Sequence, residues 1–300
     1  MGKKIVVIGS SNTDMTVKTL SLPRPGETLL GGEFKMGPGG KGANQAVAAA
    51  RMGGDVSFVC KVGSDMFGDS AVRCYEKDGI DTSRILRSTK PSGVALIMVD
   101  DKGENCISVA SGANADFTEA DIDSVADIIK EAEMLVLQLE ISVPCVLKAA
   151  RIAAEAGVKV LLNPAPACEL PEELFKYVYL MTPNQTESEF YTGIHVDDEA
   201  SAARAAEALR AMGVGNVLMT MGSKGSMAFT AEGEFFTPAC KVEAVDATAA
   251  GDTFCGALAV ALVEGKNLKE AAAFATAASA LTVQKIGAQE SIPYRNEINQ

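Results

Sequence analysis

Short runs of apolar residues recur along the chain, and each ends in polar or glycine-rich residues. The first, residues 4–9, passes into Ser10-Ser11-Asn12-Thr13-Asp14 and reads as a buried strand running into a polar loop. Runs at 56–60, 134–139, 158–162, 178–182 and 217–220 repeat the pattern. Between several of them the period becomes helical. Ile122, Val125, Ala126 and Ile129 follow i, i+3, i+4, i+7 spacing behind a Thr118–Asp121 capping box. Ala202, Ala205, Ala206, Leu209 and Met212 form a second apolar stripe, which Gly213 should stop. Strands alternating with helices predict an α/β fold, a central mostly parallel sheet with helices on both faces. Ligands of such a sheet collect at the carboxyl ends of its strands.

Residues 13–20 and 93–110 depart from this rhythm, carrying β-type residues without an intervening helix. The second segment holds Asp101-Lys102-Gly103, a good hairpin turn, between runs at 94–99 and 105–109. These are either strands of a small separate sheet, a lid beside the strand-end cleft, or an edge hairpin of the main sheet.

Composition narrows the partners. Hydrophobic residues make up 47% of 300, enough to fill one large core, and neither repeats nor low-complexity linkers interrupt the chain. Lys plus Arg number 27 against 39 Asp plus Glu, a net charge of −12, and aromatics are 5% with no Trp. A nucleic-acid partner is therefore not expected. The longest uncharged stretches, 253–263 and 271–284, fall short of the roughly 20 apolar residues a bilayer requires. Lys3-Lys4 precede only four apolar residues, too few for a secretion signal. Seven cysteines lie at least 14 residues apart and His195 is the single histidine, so zinc and CxxC spacings are absent. The expectation is a soluble, cytoplasmic protein whose thiols are reduced, each a small buried hydrophobe.

Two glycine clusters carry candidate chemistry. Gly37-Pro38-Gly39-Gly40-Lys41-Gly42-Ala43-Asn44-Gln45 leads into a strong helix over 46–52. Glycines before a helix let backbone N–H groups approach an oxygen-rich ligand. Lys41 and Asn44 add donors suited to sugar hydroxyls; a plain turn into a helix is the other reading. Residues 37–42 match GxGxxG, but the dinucleotide fingerprint belongs on the first strand-to-helix turn, with an acid about 20 residues on. Here the first strand meets Ser10-Ser11-Asn12 and Asp55 comes too soon, which argues against a Rossmann-type dehydrogenase. A Walker A loop is absent too, since Gly42 follows Lys41 and position 35 is Lys.

In the second cluster, Ala249-Ala250-Gly251-Asp252 precedes an apolar helix over 253–262. Its N–H groups would point from a helix N-terminus at charge developing on a transferring phosphoryl group. Asp252 either accepts the proton of an attacking alcohol or caps the helix. Asn184 and Glu187, three apart on another first turn, either cap it or support water-mediated Mg²⁺ and phosphate contacts. Thr220-Met221-Gly222-Ser223-Lys224-Gly225 is either a hairpin turn or a nucleotide-phosphate turn. Glu140 follows the strand at 134–139. All fall at predicted strand ends or helix starts.

Together these residues resemble the phosphofructokinase-B-type (PfkB) family of carbohydrate kinases, and within it the ribose-phosphorylating branch, over essentially the full chain. Gly39-Gly40-Lys41-Gly42-Ala43-Asn44-Gln45-Ala46 looks like the N-terminal signature, and Asp246-Ala247-Thr248-Ala249-Ala250-Gly251-Asp252-Thr253-Phe254 the C-terminal one. Asn163-Pro164-Ala165-Pro166-Ala167 and Thr182-Pro183-Asn184 fit as well. The resemblance implies one catalytic domain over 1–300, a β lid of about 13–36 and 92–110, and a homodimer through the lid sheets. It implies phosphorylation of the D-ribose 5-hydroxyl by ATP with Mg²⁺, activated by K⁺. Sugar contacts would come from Asn12, Thr13, Asp14, Gly40, Lys41, Gly42, Ala43, Asn44, Glu140 and Asp252. The nucleotide side would comprise Asn184, Glu187, Thr220, Met221, Gly222, Ser223, Lys224, Gly225, Gly251, Asp252 and Thr276. Ala249, Ala250 and Gly251 would form the anion hole, with Asp252 as base. Asp246, Thr248, Thr282, Lys285, Gly287 and Ser291 match the monovalent-cation positions. Thr276 stands where some relatives carry His, and Ala247 replaces a common Thr. A kinase for 2-deoxyribose, another pentose or a nucleoside, or a catalytically silent sugar-binding relative, would share much of this pattern.

Overall fold

Strand β1 (Lys4–Ile8) is buried on both faces: Ile5 and Val7 enter one hydrophobic core, Val6 and Ile8 another. That is the two-sided burial an apolar run without alternation requires. The computed structural model describes residues 4–30 and 32–298. The remaining strands are β2 (Asn12–Lys18), β3 (Phe34–Gly39), β4 (Asp55–Val59), β5 (Lys61–Gly63), β6 (Leu86–Ser88), β7 (Gly93–Val99), β8 (Asn105–Ala110), β9 (Met134–Leu137), β10 (Lys159–Leu162), β11 (Leu180–Met181), β12 (Asn216–Thr220), β13 (Gly225–Thr230) and β14 (Gly233–Pro238). The helices are α1 (Lys41–Arg51), α2 (Met66–Lys77), α3 (Glu119–Ser124), α4 (Ala126–Glu131), α5 (Val143–Glu155), α6 (Glu172–Phe175), α7 (Gln185–Thr192), α8 (Glu199–Ala211), α9 (Ala250–Val263), α10 (Leu268–Thr282) and α11 (Arg295–Ile298).

The main sheet runs β14-β13-β12-β11-β10-β9-β1-β4. It is parallel from β4 to β12 and ends in two antiparallel hairpin strands. Helices α1, α2, α9 and α10 cover one face, and α3, α4, α5 and α8 the other. Among the described residues no helix is long and apolar enough to cross a membrane.

The departing segments form their own sheet, β3-β2-β7-β8, with β2 and β7 parallel and the outer pairs antiparallel. This settles the choice between a separate sheet and an edge hairpin. The Asp101-Lys102-Gly103 turn joins β7 to β8, with Gly103 in the left-handed region. One face carries Asn12, Asp14, Ala95, Ile97, Ile107 and Val109 toward the cleft. The other carries Met15, Phe34, Met36 and Leu96, of which Phe34, Met36 and Leu96 are exposed.

Three local expectations change. The helix expected across 122–129 breaks into α3 and α4, because Val125 (φ −117°, ψ 11°) leaves helical geometry. The Thr118–Asp121 capping box forms as expected. The strand at 178–182 pairs only over Leu180–Met181 before turning into the cleft wall. The cysteines are all unpaired, but only Cys60, Cys145 and Cys255 are buried, while Cys106 and Cys240 are exposed.

Candidate active site

The carboxyl ends of β1, β9, β10, β11 and β12 open onto one cleft of about 440 Å³ beneath the small sheet. Three helices, α1, α7 and α9, begin on its wall. Helix α1 lies close to α9 because Gly256 has no side chain: a Cβ there would stand 2.6 Å from the Ala48 Cβ. At its own start, a Cβ on Gly42 would meet the Ser10 nitrogen at 2.5 Å. The Gly-rich segment thus sets how near α1 can come to both β1 and α9.

That approach holds Asp252. Its carboxylate is 6% exposed and takes an N–H from Asn44 Nδ2 on Oδ2 (2.9 Å) and from Gln45 Nε2 on Oδ1 (3.0 Å). Asp252 does not cap α9. The N-cap is Ala249, with no side-chain cap, at φ 60°, the single non-glycine residue at positive φ among the described residues. Such strain persists only where the surroundings fix it, and it clusters at functional sites. Ala250 turns its N–H to the Ala247 carbonyl (3.2 Å), and Thr253 donates to Ala249 O. The N–H groups of Gly251 and Asp252 have no backbone partner among the described residues. A Cβ on Gly251 would meet no atom within 4 Å, so only something occupying the cleft would clash with a side chain there.

The other wall is acidic. Glu140 Oε2 accepts the Ser10 hydroxyl (2.5 Å) and the Lys41 N–H (2.9 Å). Asp14 also lines the cleft, and its pKa is pushed up to about 6 by burial, then by Glu140 and Asp252. Burial opposes the Lys41 charge, yet the carboxylates of Asp252, Glu140 and Glu187 outweigh it and raise its pKa. Asn12 is fixed by Asn114, whose Nδ2 donates to Asn12 Oδ1 (2.7 Å) while its Oδ1 accepts the Ser11 N–H. Gly93 leaves room for this contact, since its Cβ would stand 2.2 Å from Asn12 Oδ1.

At α7, Asn184 and Glu187 form a reciprocal capping box and both line the cleft. Burial raises the Glu187 carboxyl against the Asn184 N–H and Lys41. Thr220 reaches the cleft as well, and Met221 N–H donates to Gly225 O across a short turn. Within that turn Gly222 and Ser223 are exposed, and Lys224 Nζ donates to the Asp197 carbonyl. Met221 is buried in the core.

Several expected contacts lie elsewhere. Thr13 alternates with Asn12 and Asp14 along β2, which turns it to the far face. Gly42 and Ala43 are buried in packing rather than lining the cleft. The Thr276 hydroxyl is bonded to Ala272 O, one turn back in α10.

The expected cation positions do converge in part. Asp246 Oδ1 accepts the Thr248 N–H and hydroxyl, and Oδ2 accepts the Gly287 N–H, tying two loops together. Among the described residues, no N–H donates to the carbonyls of Asp246 or Gly287. Buried Thr282 bonds Thr253, Ser291 bonds Ala288 O, and Lys285 pairs with Glu297. Residues that went unassigned in the sequence are the amides Gln45, Asn114, Gln138 and Asn163; Gln45 and Asn163 sit inside quoted stretches, and Gln45 contacts Asp252.

Residues 2–295 match the pfkB family carbohydrate kinases. The chain is 43% identical to the ribokinase of Haemophilus influenzae, over 99% of this chain and 97% of that protein. It is 39% identical to the deoxyribokinase of Salmonella typhi over the same shares. Against a bifunctional ribokinase/ribose-5-phosphate isomerase A of Fructilactobacillus sanfranciscensis it is 43% identical, over 99% of this chain but 55% of that longer protein. The structure of Arabidopsis thaliana ribokinase complexed with ribose and ATP superposes with a TM-score of 0.95 at 33% identity, covering 100% of this chain and 98% of that one.

Proposed function

Because the chain belongs to the pfkB family of carbohydrate kinases, we propose that it transfers the γ-phosphate of ATP to the 5-hydroxyl of D-ribose, giving D-ribose 5-phosphate and ADP. The full-length ribokinase relatives support the substrate. The mechanism rests on one observation: a carboxylate held on both oxygens by amide donors adjoins helix-start N–H groups without a partner.

The sugar lies between lid and sheet, with Asn12, Asp14, Lys41, Asn44 and Glu140 around its hydroxyls. Asn44 Oδ1, buried without a protein partner, is free to accept one of them. Asp252 takes the proton of the 5-hydroxyl as that oxygen bonds to the γ-phosphorus and the bond to the β–γ bridging oxygen breaks. The N–H groups of Gly251 and Asp252 receive the charge developing on the transferring group. Thr220 and Asn184 lie on the nucleotide side.

Four carboxylates (Asp14, Glu140, Glu187, Asp252) face one ammonium (Lys41) in the cleft, so the polyphosphate needs a counter-ion. Asn184 and Glu187 would face hydrated Mg²⁺, which neutralises phosphate charge. Carbonyls free of donors on the loops joined by Asp246 suit a K⁺ ion beside the anion hole.

The exposed apolar back of the lid supports a homodimer through that sheet. Leu96→Lys should leave a monomer by light scattering. Unpaired cysteines fit a cytoplasmic site of action, and the negative charge gives nucleic acid no foothold.

The test is ADP release with MgATP and K⁺ across ribose, 2-deoxyribose, fructose, adenosine and a no-sugar control. A ribose-selective signal that falls without K⁺ is expected. Preference for 2-deoxyribose would keep the chemistry and move the substrate; silence with every acceptor would contradict the reading.

A further inference from the structure

Behind Asp252 lies a buried chain of side-chain amides, of which Asn163 reaches the cleft wall while Gln45 and Gln138 do not. Gln45 is wholly buried, and its Nε2 donates to both Asp252 Oδ1 (3.0 Å) and Asn163 Oδ1 (3.0 Å). Its Oε1 accepts from Gln138 Nε2 (2.7 Å), and Asn163 Nδ2 donates to the Thr182 carbonyl (3.1 Å). The four residues come from α1, α9 and the ends of β9 and β10.

The polarity of this chain is fixed by one group that cannot turn. A backbone carbonyl only accepts, so the Thr182 oxygen requires the NH₂ end of Asn163. Asn163 then offers its oxygen to Gln45, and Gln45 must answer with its NH₂ group. The second hydrogen of that group points at Asp252. Gln138 completes the series by donating to Gln45, which leaves its own Oε1 buried without a partner. Gly9 makes room for that oxygen, since a Cβ there would lie 2.0 Å from it. An orphaned acceptor is what a forced amide orientation leaves behind.

We infer that Gln45, oriented by Asn163 and Gln138, is a positioning residue that holds the Asp252 carboxylate in its reactive pose. The inference rests on the proposed role of Asp252. With Asn44 gripping Oδ2, Gln45 on Oδ1 removes the carboxylate's remaining rotation about its Cβ–Cγ bond.

The experiment compares Gln45→Met, Asp252→Asn and the double variant, with thermal unfolding and calorimetric ribose binding as folding controls. Gln45→Met should lower kcat roughly 10- to 100-fold, the cost of a misplaced reactive group, while ribose and ATP KM stay within about threefold. In the Asp252→Asn background the same substitution should add no more than about twofold, since it acts only through that carboxylate. A kcat for Gln45→Met within threefold of the parent, or equal losses in both backgrounds, would overturn the inference. Near-normal turnover of Asp252→Asn would instead remove the base, and the inference with it. If Gln45→Met does not fold, Gln138→Met decides: a kcat loss at unchanged ribose KM supports the chain, and unchanged kcat overturns it.

Discussion

Helices α7 and α9 begin on the same cleft, yet their first turns are finished in opposite ways. At α7 the chain closes the turn upon itself: Asn184 accepts the Glu187 N–H, and Glu187 accepts the Asn184 N–H. At α9 no side chain caps the turn, the N-cap is a strained alanine, and the acid that could have capped is drawn away by Asn44 and Gln45. Helix α1 is closed further still, its first three N–H groups being taken by Glu140, the Ser10 hydroxyl and the Ser10 carbonyl. Unpaired N–H groups at a helix start are normally satisfied within the protein. At α7 the box satisfies the third N–H group and leaves those of Gln185 and Thr186 without a partner among the described residues. At α9 the Gly251 and Asp252 N–H groups are open with no side-chain cap at all, beside a carboxylate held on both oxygens, which suits that end of the dipole to an anion.

The strongest way to break this contrast is to remove the acid. Asp252→Asn should lower kcat by about 10³-fold, the range of a lost general base, with ribose binding by calorimetry largely retained.

A smaller effect tests the sugar side. Asp14 titrates near 6 because of burial and the neighbouring Glu140 and Asp252. If its carboxylate accepts sugar hydroxyls, ribose KM should rise as pH falls through 6, about tenfold from pH 7 to pH 5, and a KM profile for Asp14→Asn should be flat there. Stability follows the opposite sign: a raised folded pKa favours the folded protein below its ordinary value of 3.8, and that contribution is lost as pH rises through about 6.

The α7 side should yield the smallest change. Asn184→Ala removes a closed cap and should cost about 1 kcal/mol in denaturant unfolding, with the KM for MgATP raised a few-fold, since the same side chain lies on the nucleotide side of the cleft.

Much of this arrangement was legible in the sequence because it is local. Glycines ahead of helices, an acid in a first turn and a polar residue at a strand end are all short-range signals, and Asp252, Gly251, Lys41, Asn44, Asn184 and Glu140 were found that way. Reading contiguous motifs as contiguous sites misplaced Thr13, Gly42 and Ala43, because strand alternation and helix packing send neighbours to different surroundings. Gln138 and Asn114 left no signal at all, and Asn163 stood in a motif stretch without a role attached to it. Their side-chain partners lie 93 to 118 residues away, and an amide acquires its role from what folding brings opposite it. The small sheet was visible as a break in rhythm, but its separation from the main sheet is a matter of pairing, which alternation does not encode.

The central claim, that the open start of α9 is the transfer site, is tested most directly by closing it. The measurement is the kcat of Gly251→Val with ribose and MgATP, alongside its melting temperature. Gly251 faces open space, so the fold should tolerate the side chain and the melting temperature should hold. Turnover should fall roughly 100-fold or more, the loss seen when a donor to a developing anion is displaced. A stable Gly251→Val variant that turns over within threefold of the parent would contradict the account.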